Sequence, residues 1–326
     1  MTTLPAPRTV PEEGLPARVT VFEVGPRDGL QAETDIIPAP VKAQLCRRLY
    51  AAGSRALEVT SFVPPTWIPQ LADAEQVVAD LEAPEGARAV GLVPNLRGLQ
   101  RAMDAGIREV SVVVSATEAF AQANLNTTRS GAIERAVDVI AAATGQGVPV
   151  RGYVSMAFGD PWEGAVDTAA VVAAAVSLYE AGARTIAIGD TIGVATPGHT
   201  AAVIAATVAA GIPVDAIALH LHDTYGQSLA NVHAALRLGV AEFDSSVGGL
   251  GRCPYAKGAT GNLATEDLVW MLHGLGIETG LDLEALAATT LWLSRIRGVR
   301  PASNVARALA AAGLDTSDTE QEVTPA

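Results

Sequence analysis

The stretch TIAIGDTIGVATPGHTAAVIAATVAAGIPVDAIALHLHD (185–223) decides the fold. A β-branched run, Thr185–Thr191, leads into an Ala/Val-rich segment at 198–210, and a second run, Ile217–Asp223, follows. Two short apolar strands joined through a helix make a βαβ unit with parallel strands. Thr196-Pro197 predicts the helix start, an N-cap followed by proline at the first helical position. Gly182 and Gly211 follow helical stretches, where a left-handed C-terminal residue is often needed.

The same alternation fills most of the chain. Strands are expected at Val19–Val24, Ala56–Phe62, Ala87–Pro94, Glu109–Ala116, Pro149–Ala157, Thr185–Thr191, Ile217–Asp223 and Glu242–Val247. Helices are expected near 41–52, 71–82, 96–105, 131–146, 166–181, 198–210, 227–238 and 264–275. Eight of each predicts an α/β fold, the closed (β/α)8 TIM barrel. An open doubly wound sheet would place a Gly-rich dinucleotide turn after the first strand, and GPRDG (25–29) is not one. Leu281–Arg297 and Ala302–Ala312 predict additional C-terminal helices. The expected organisation is a disordered N-terminal segment over 1–17, a barrel domain with its C-terminal helices over 18–313, and a disordered polar tail over 314–326.

The 326 residues suit one barrel of roughly 250 residues with extensions. Hydrophobic residues make up 49% and charged residues 17%, a balance that supports a large core and argues against disorder. The net charge of −13 argues against binding to nucleic acid or to anionic membranes, so an anionic ligand needs a local cation. No apolar run is long enough to span a bilayer, and the proline-rich N-terminus lacks the apolar core of a signal peptide. Two cysteines, Cys46 and Cys253, imply no disulfide framework and fit a reducing, cytoplasmic setting.

A barrel of this kind carries its site at the C-terminal ends of its strands. His220 and His222 are two apart on a strand, so both imidazoles face the same side while Leu219 and Leu221 face the other. They are either half of a metal site or a hydrogen-bonded pair in a polar core. Asp28, in the turn after strand one, and Asn262, in the loop after strand eight, could complete a ligand set that suits Mg²⁺ or Mn²⁺. Alone, Asp28 reads as an Asx-turn residue and Asn262 as a helix N-cap. Arg27 and Glu58 are either a structural ion pair or catalytic charges, and Asp190 reads the same way. Cys253 lies in GGLGRCPYAKGATGN (248–262), a glycine-rich stretch able to close over a site, and could carry a proton; Cys46 reads as a packed helical thiol. His199, His233 and His273 read as surface or packing residues.

GPRDGLQ (25–31), TSFVPPTWIPQ (60–70), RGYVS (151–155), GDTIGV (189–194), HLHDTYGQ (220–227) and GLGRCPYAKGATGNLATEDLV (249–269) together resemble the 3-hydroxy-3-methylglutaryl-CoA lyase family of metal-dependent barrel lyases. The resemblance implies an acyl-CoA substrate and a divalent metal cation, Mg²⁺ or Mn²⁺, held by Asp28, His220, His222 and Asn262. It implies Arg27 stabilising enolate charge, Cys253 handling a proton, and Glu58, Asp190, Tyr153, Gln31, Ser61 and Thr191 lining or supporting the site. It also implies a homo-oligomer, dimer or tetramer. Met156 and Asp160 stand where the family pattern carries cysteines, and Arg252 where it carries a small residue. Two other readings stay open: a Claisen-type condensing enzyme resembling the citramalate and isopropylmalate synthases, and a lyase for a related 3-hydroxyacyl-CoA. A catalytically inactive barrel is the alternative outside enzymes.

Overall fold

A computed structural model describes residues 4–251 and 261–314. Eight parallel strands close into a barrel in sequence order: β1 (Thr20–Glu23), β2 (Ala56–Ser61), β3 (Arg88–Leu92), β4 (Glu109–Ser115), β5 (Val150–Ser155), β6 (Thr185–Asp190), β7 (Ile217–Leu221) and β8 (Glu242–Ser245). The barrel shuts where Thr20–Glu23 of β1 pairs in register with Glu242–Ser245 of β8. Around it lie α1 (Ala39–Ala51), α2 (Ala74–Ala79), α3 (Leu96–Asp104), α4 (Glu118–Leu125), α5 (Arg129–Thr144), α6 (Thr168–Glu180), α7 (Pro197–Ala209), α8 (Ser228–Leu236) and α9 (Thr265–Gly274). The predicted helices after the barrel are α10 (Leu283–Arg297) and α11 (Asn304–Ala311).

The two-residue period of the strands sorts side chains into two cores. Val21, Val59, Val112, Val154, Ile186, Ile188, Leu219 and Leu221 point outward and pack with helix residues such as Leu45, Ile140, Leu178, Val203 and Leu268. Each fully buried side chain of this size stabilises the fold by roughly 1.5–3 kcal/mol. Their strand neighbours point into the barrel. Phe22, Val24, Ala56 and Val90 form one interior cluster, and Tyr153, Ala187 and Ala218 form another. Below the latter, Arg151 is buried between Phe22 and Tyr153, with its guanidinium 4.3 and 5.2 Å from the two ring centroids. Its charge is met by Asp244 and Glu242, and Glu242 also reaches Arg88, at 3.1 Å.

Several local expectations are met. Thr196 is the N-cap of α7 with Pro197 behind it, although its hydroxyl caps no backbone N–H. Gly182 and Gly211 adopt φ of +112° and +99°, the left-handed region that glycine enters without steric penalty. Helix α4 falls in a stretch that the alternation leaves as a loop. The N-terminal segment differs from expectation. The Val10 N–H donates to the Gly274 carbonyl at 2.8 Å, and Glu12 pairs with His233 at 2.9 Å and Arg237 at 2.6 Å. These contacts lay residues 9–12 against α8 and α9 instead of leaving them unattached. The tail beyond Leu314 lies outside the described residues.

Candidate active site

The turn after β1 is a single π-helical turn, Gly25–Gly29, opened by Pro26 and closed by the Gly29 N–H on the Val24 carbonyl at 3.1 Å. Wide turns of this kind recur at functional sites because they lift side chains out of the helical repeat. A Cβ on Gly29 would lie 2.7 Å from Leu250 Cβ, so this close approach needs glycine. The turn presents Arg27 and Asp28 to the barrel mouth. Arg27 is forked: its Nε meets Glu58, and its Nη1 meets Asp28 Oδ1 at 2.8 Å and Gln31 Oε1 at 3.4 Å. Glu58 is fully buried, and its second oxygen takes the Ser111 hydroxyl. Burial pushes the Glu58 carboxyl up while Arg27 and Ser111 pull it down, and burial prevails. The ion pair expected as one alternative is therefore present, and it also braces Asp28.

His220 and His222 face inward, as their spacing predicts, with ring centroids 5.4 Å apart. Among the described residues, Asp28, His220 and His222 offer ligand atoms that all lie within 4.8 Å of one another. His220 Nε2 is 3.9 Å from Asp28 Oδ2. The fourth expected member arrives on the segment after β8. Asp223 N–H bonds the Gly261 carbonyl at 3.2 Å, and Leu263 N–H bonds the Leu221 carbonyl at 2.9 Å, so Asn262 is stitched beside His222. Asn262 Nδ2 donates to Asp28 Oδ2 at 2.8 Å and to the Leu250 carbonyl at 3.0 Å. Asn262 is not the N-cap of α9; that position is Ala264.

The donor set fits a divalent cation. Ligands bound at about 2.1 Å from one ion lie roughly 3–4 Å apart, the scale of this cluster. Asn262 Oδ1 and His222 Nδ1 are buried with no hydrogen-bond partner among the described residues. Such atoms are costly to leave bare, and these two are free to meet a ligand. The protonation states of His222 and Asp28 also fit. Burial and the neighbouring His220 push His222 down to about 4, so it is neutral at pH 7. Burial opposes ionisation of Asp28, yet Arg27 and the two histidines hold it down to about 2.

A cavity of about 840 Å³ opens above the cluster. Arg27, Asp28, Gln31, Ser61, Tyr153, Thr191, His220 and His222 line it. The Ser61 hydroxyl and the Tyr153 phenol are buried without partners among the described residues. Thr191 Oγ1 accepts from the Met156 N–H at 2.9 Å, which supports Met156 at a left-handed φ of +57°. Three sequence-derived site residues stand behind the wall. Glu58 holds Arg27, Asn262 holds Asp28, and Asp190 turns its carboxylate onto the backbone of Val194 and Ala195 at 2.9 and 3.0 Å. Burial raises Asp190 to about 6 against those hydrogen bonds. Cys253, with its neighbour Arg252, lies outside the described residues. Cys46 is fully buried, and burial pushes its thiol up to about 12.

Sequence reasoning passed over Asp244 and Arg151. His220 Nδ1 is 3.0 Å from Asp244 Oδ2, and the other Asp244 oxygen meets Arg151. A signal was available: Glu242 and Asp244 are two apart on a strand, the spacing that singles out His220 and His222.

A closed parallel barrel that gathers two histidines, an aspartate and an asparagine at the C-terminal mouth of its strands, beneath a deep cavity, is a (β/α)8 barrel of the enzyme class with a candidate metal centre. The family model described as HMGL-like matches residues 18–291, and the chain belongs to that family. It is 47% identical to the mitochondrial hydroxymethylglutaryl-CoA lyase of Arabidopsis thaliana over 91% of its own length, and it spans 63% of that longer protein. It is 46% identical to the 3-hydroxy-3-isohexenylglutaryl-CoA/hydroxymethylglutaryl-CoA lyase of Pseudomonas aeruginosa, over 91% of this chain and 99% of that one. Among solved structures it resembles an HMG-CoA lyase from Acinetobacter baumannii in complex with coenzyme A and 3-methylmalate, with TM-score 0.86 and 33% identity, covering 97% of this chain and 100% of that one.

Proposed function

We propose that this chain cleaves 3-hydroxy-3-methylglutaryl-CoA to acetyl-CoA and acetoacetate by a retro-Claisen reaction, with Mg²⁺ or Mn²⁺ held by Asp28, His220, His222 and Asn262. The observation that carries the reading is the Asp28–His220–His222 cluster in the wall of a cavity that Arg27 and the bare hydroxyls of Ser61 and Tyr153 also line. The names of the relatives support the substrate class, and the coenzyme A in the Acinetobacter baumannii structure supports an acyl-CoA.

A bound divalent cation polarises substrate oxygens and lowers the cost of ionising the C3 hydroxyl. The chain supplies the rest. The hydroxyl proton passes to Asp28 or to a histidine of the cluster. The C2–C3 bond then breaks, leaving the ketone of acetoacetate and an enolate on the thioester fragment. Arg27, buried and fixed by Glu58 and Asp28, offers its charge to that enolate. Tyr153, whose phenol burial keeps protonated, and Ser61 offer hydroxyls to substrate oxygens. Gln31 bonds Asp28 Oδ1 at 3.2 Å and keeps the Arg27–Asp28 pair in place. Asp190 holds the β6–α7 loop that carries Thr191. Cys253 protonates the enolate; this assignment rests on the sequence alone.

The test offers the protein 3-hydroxy-3-methylglutaryl-CoA in one arm, and acetyl-CoA with pyruvate or 2-oxoisovalerate in the other. Acetoacetate from the first arm, without condensation in the second, is the expected result. Condensation alone would make the chain a synthase.

A further inference from the structure

The interior of the barrel holds a buried ion network directly beneath the proposed metal ligands, and the cleavage mechanism does not use it. Asp244 is 1% exposed and sits on β8 in register with His220 on β7. One of its oxygens lies 3.0 Å from His220 Nδ1, and the other meets Arg151, which is itself fully buried. The opposite ring nitrogen, Nε2, is the one that faces Asp28, at 3.9 Å. The ring is also held edge-on by Tyr153, with centroids 5.8 Å apart and planes at 84°.

We propose that Asp244 is a positioning residue for His220: its carboxylate accepts the Nδ1 proton, and this fixes the tautomer and ring angle that leave Nε2 bare toward Asp28 and His222. A carboxylate cannot donate, so the only hydrogen bond it can form with Nδ1 puts the proton there. A neutral imidazole carries one ring proton, and Nε2 is then the free lone pair. Arg151 completes the device. It neutralises Asp244, so a buried carboxylate can stand behind the histidine without stranding a charge. Glu242 is the other carboxylate on Arg151, and among the described residues its ion pairs are with Arg151 and Arg88. This separates the ion pair that supports the barrel from the hydrogen bond that aims the ligand. The inference rests on the metal reading of the cluster, but its first test needs no metal.

That test is the long-range ¹H–¹⁵N spectrum of ¹⁵N-histidine-labelled, metal-free protein at alkaline pH, with the His220 signals identified by their loss in His220→Gln. The Nδ1–H tautomer is expected in the parent, and the Nε2–H tautomer would overturn the proposal. In Asp244→Asn the amide can donate to Nδ1, so the Nε2–H tautomer should gain population. The second test titrates Mn²⁺ by the loss of its free electron-paramagnetic-resonance signal. Asp244→Asn should weaken Mn²⁺ binding about 10–100-fold, the usual effect of losing an outer-shell partner. Glu242→Gln takes the other carboxylate from Arg151 and should lower the melting temperature with Mn²⁺ affinity unchanged. Equal weakening by both variants, or none by Asp244→Asn, would make Asp244 a structural partner of Arg151 and nothing more. Should Asp244→Asn fail to fold, the parent's tautomer still decides.

Discussion

Replacing Asn262 with alanine separates ion binding from stability. In the metal-free protein the side chain has two opposing effects. Its Nδ2 bonds the Asp28 carboxylate at 2.8 Å and the Leu250 carbonyl at 3.0 Å, and a hydrogen bond to a charged group contributes about 1.5–3 kcal/mol. Its Oδ1 is buried and bare, which costs about 1–3 kcal/mol. The two nearly offset, so Asn262→Ala should melt close to the parent in the presence of chelator. With Mn²⁺ present the variants should part. At an ion concentration one hundred times the parent's Kd, binding stabilises the parent by about 2.7 kcal/mol. Loss of a direct ligand should weaken binding at least as much as loss of an outer-shell partner, about 10–100-fold. The variant then gains only about 1.4 to 0.4 kcal/mol at the same concentration. Melting curves with chelator and with Mn²⁺ measure this directly. A variant that gains as much as the parent would refute the assignment of Asn262 as a ligand.

Other outcomes follow from the same geometry. Arg27→Met should lower kcat by roughly 10²–10³-fold with KM little changed, as for a lost charge-stabilising donor, and should lower the melting temperature because Glu58 stays buried without its cation. A change confined to KM would limit Arg27 to binding. Cys253→Ser should slow turnover by roughly 10²-fold with ion content unchanged. A thiol reagent should inactivate the parent through Cys253 alone, because burial holds Cys46 near 12, and wild-type rates in the serine variant would move the proton carrier elsewhere. Burial raises Glu266 from 4.5 to about 8, so the folded state keeps a proton that the unfolded chain releases. Stability should therefore fall as pH rises from 4.5 toward 8, and melting curves of Glu266→Gln should show a shallower decline.

The barrel was legible because both of its periods are written plainly. All eight strands fall where the β-branched runs place them, since the outward face of each must bury against a helix. Helix α4 was not legible. Its eight residues, EAFAQANL, interrupt a single β–α step and carry little apolar periodicity of their own. The π-turn at 25–29 reads as an ordinary turn because its backbone is set by the close approach of Leu250, which sequence cannot place. His220 and His222 stood out because two histidines on an apolar strand face are unusual. Asp244 did not, because a carboxylate in a strand reads as an edge or a solvent residue until its register with His220 is known. Asp190 shows the opposite case: a polar residue at a strand end, read as lining, whose carboxylate serves the loop backbone.

The most direct test of the account is turnover of 3-hydroxy-3-methylglutaryl-CoA by protein stripped of metal, with acetoacetate as the readout, before and after Mg²⁺ or Mn²⁺ is returned. The account predicts no cleavage in the stripped protein, recovery with the ion, and no recovery in folded His220→Ala. Full cleavage by the stripped protein, or recovery in His220→Ala equal to the parent, would contradict it.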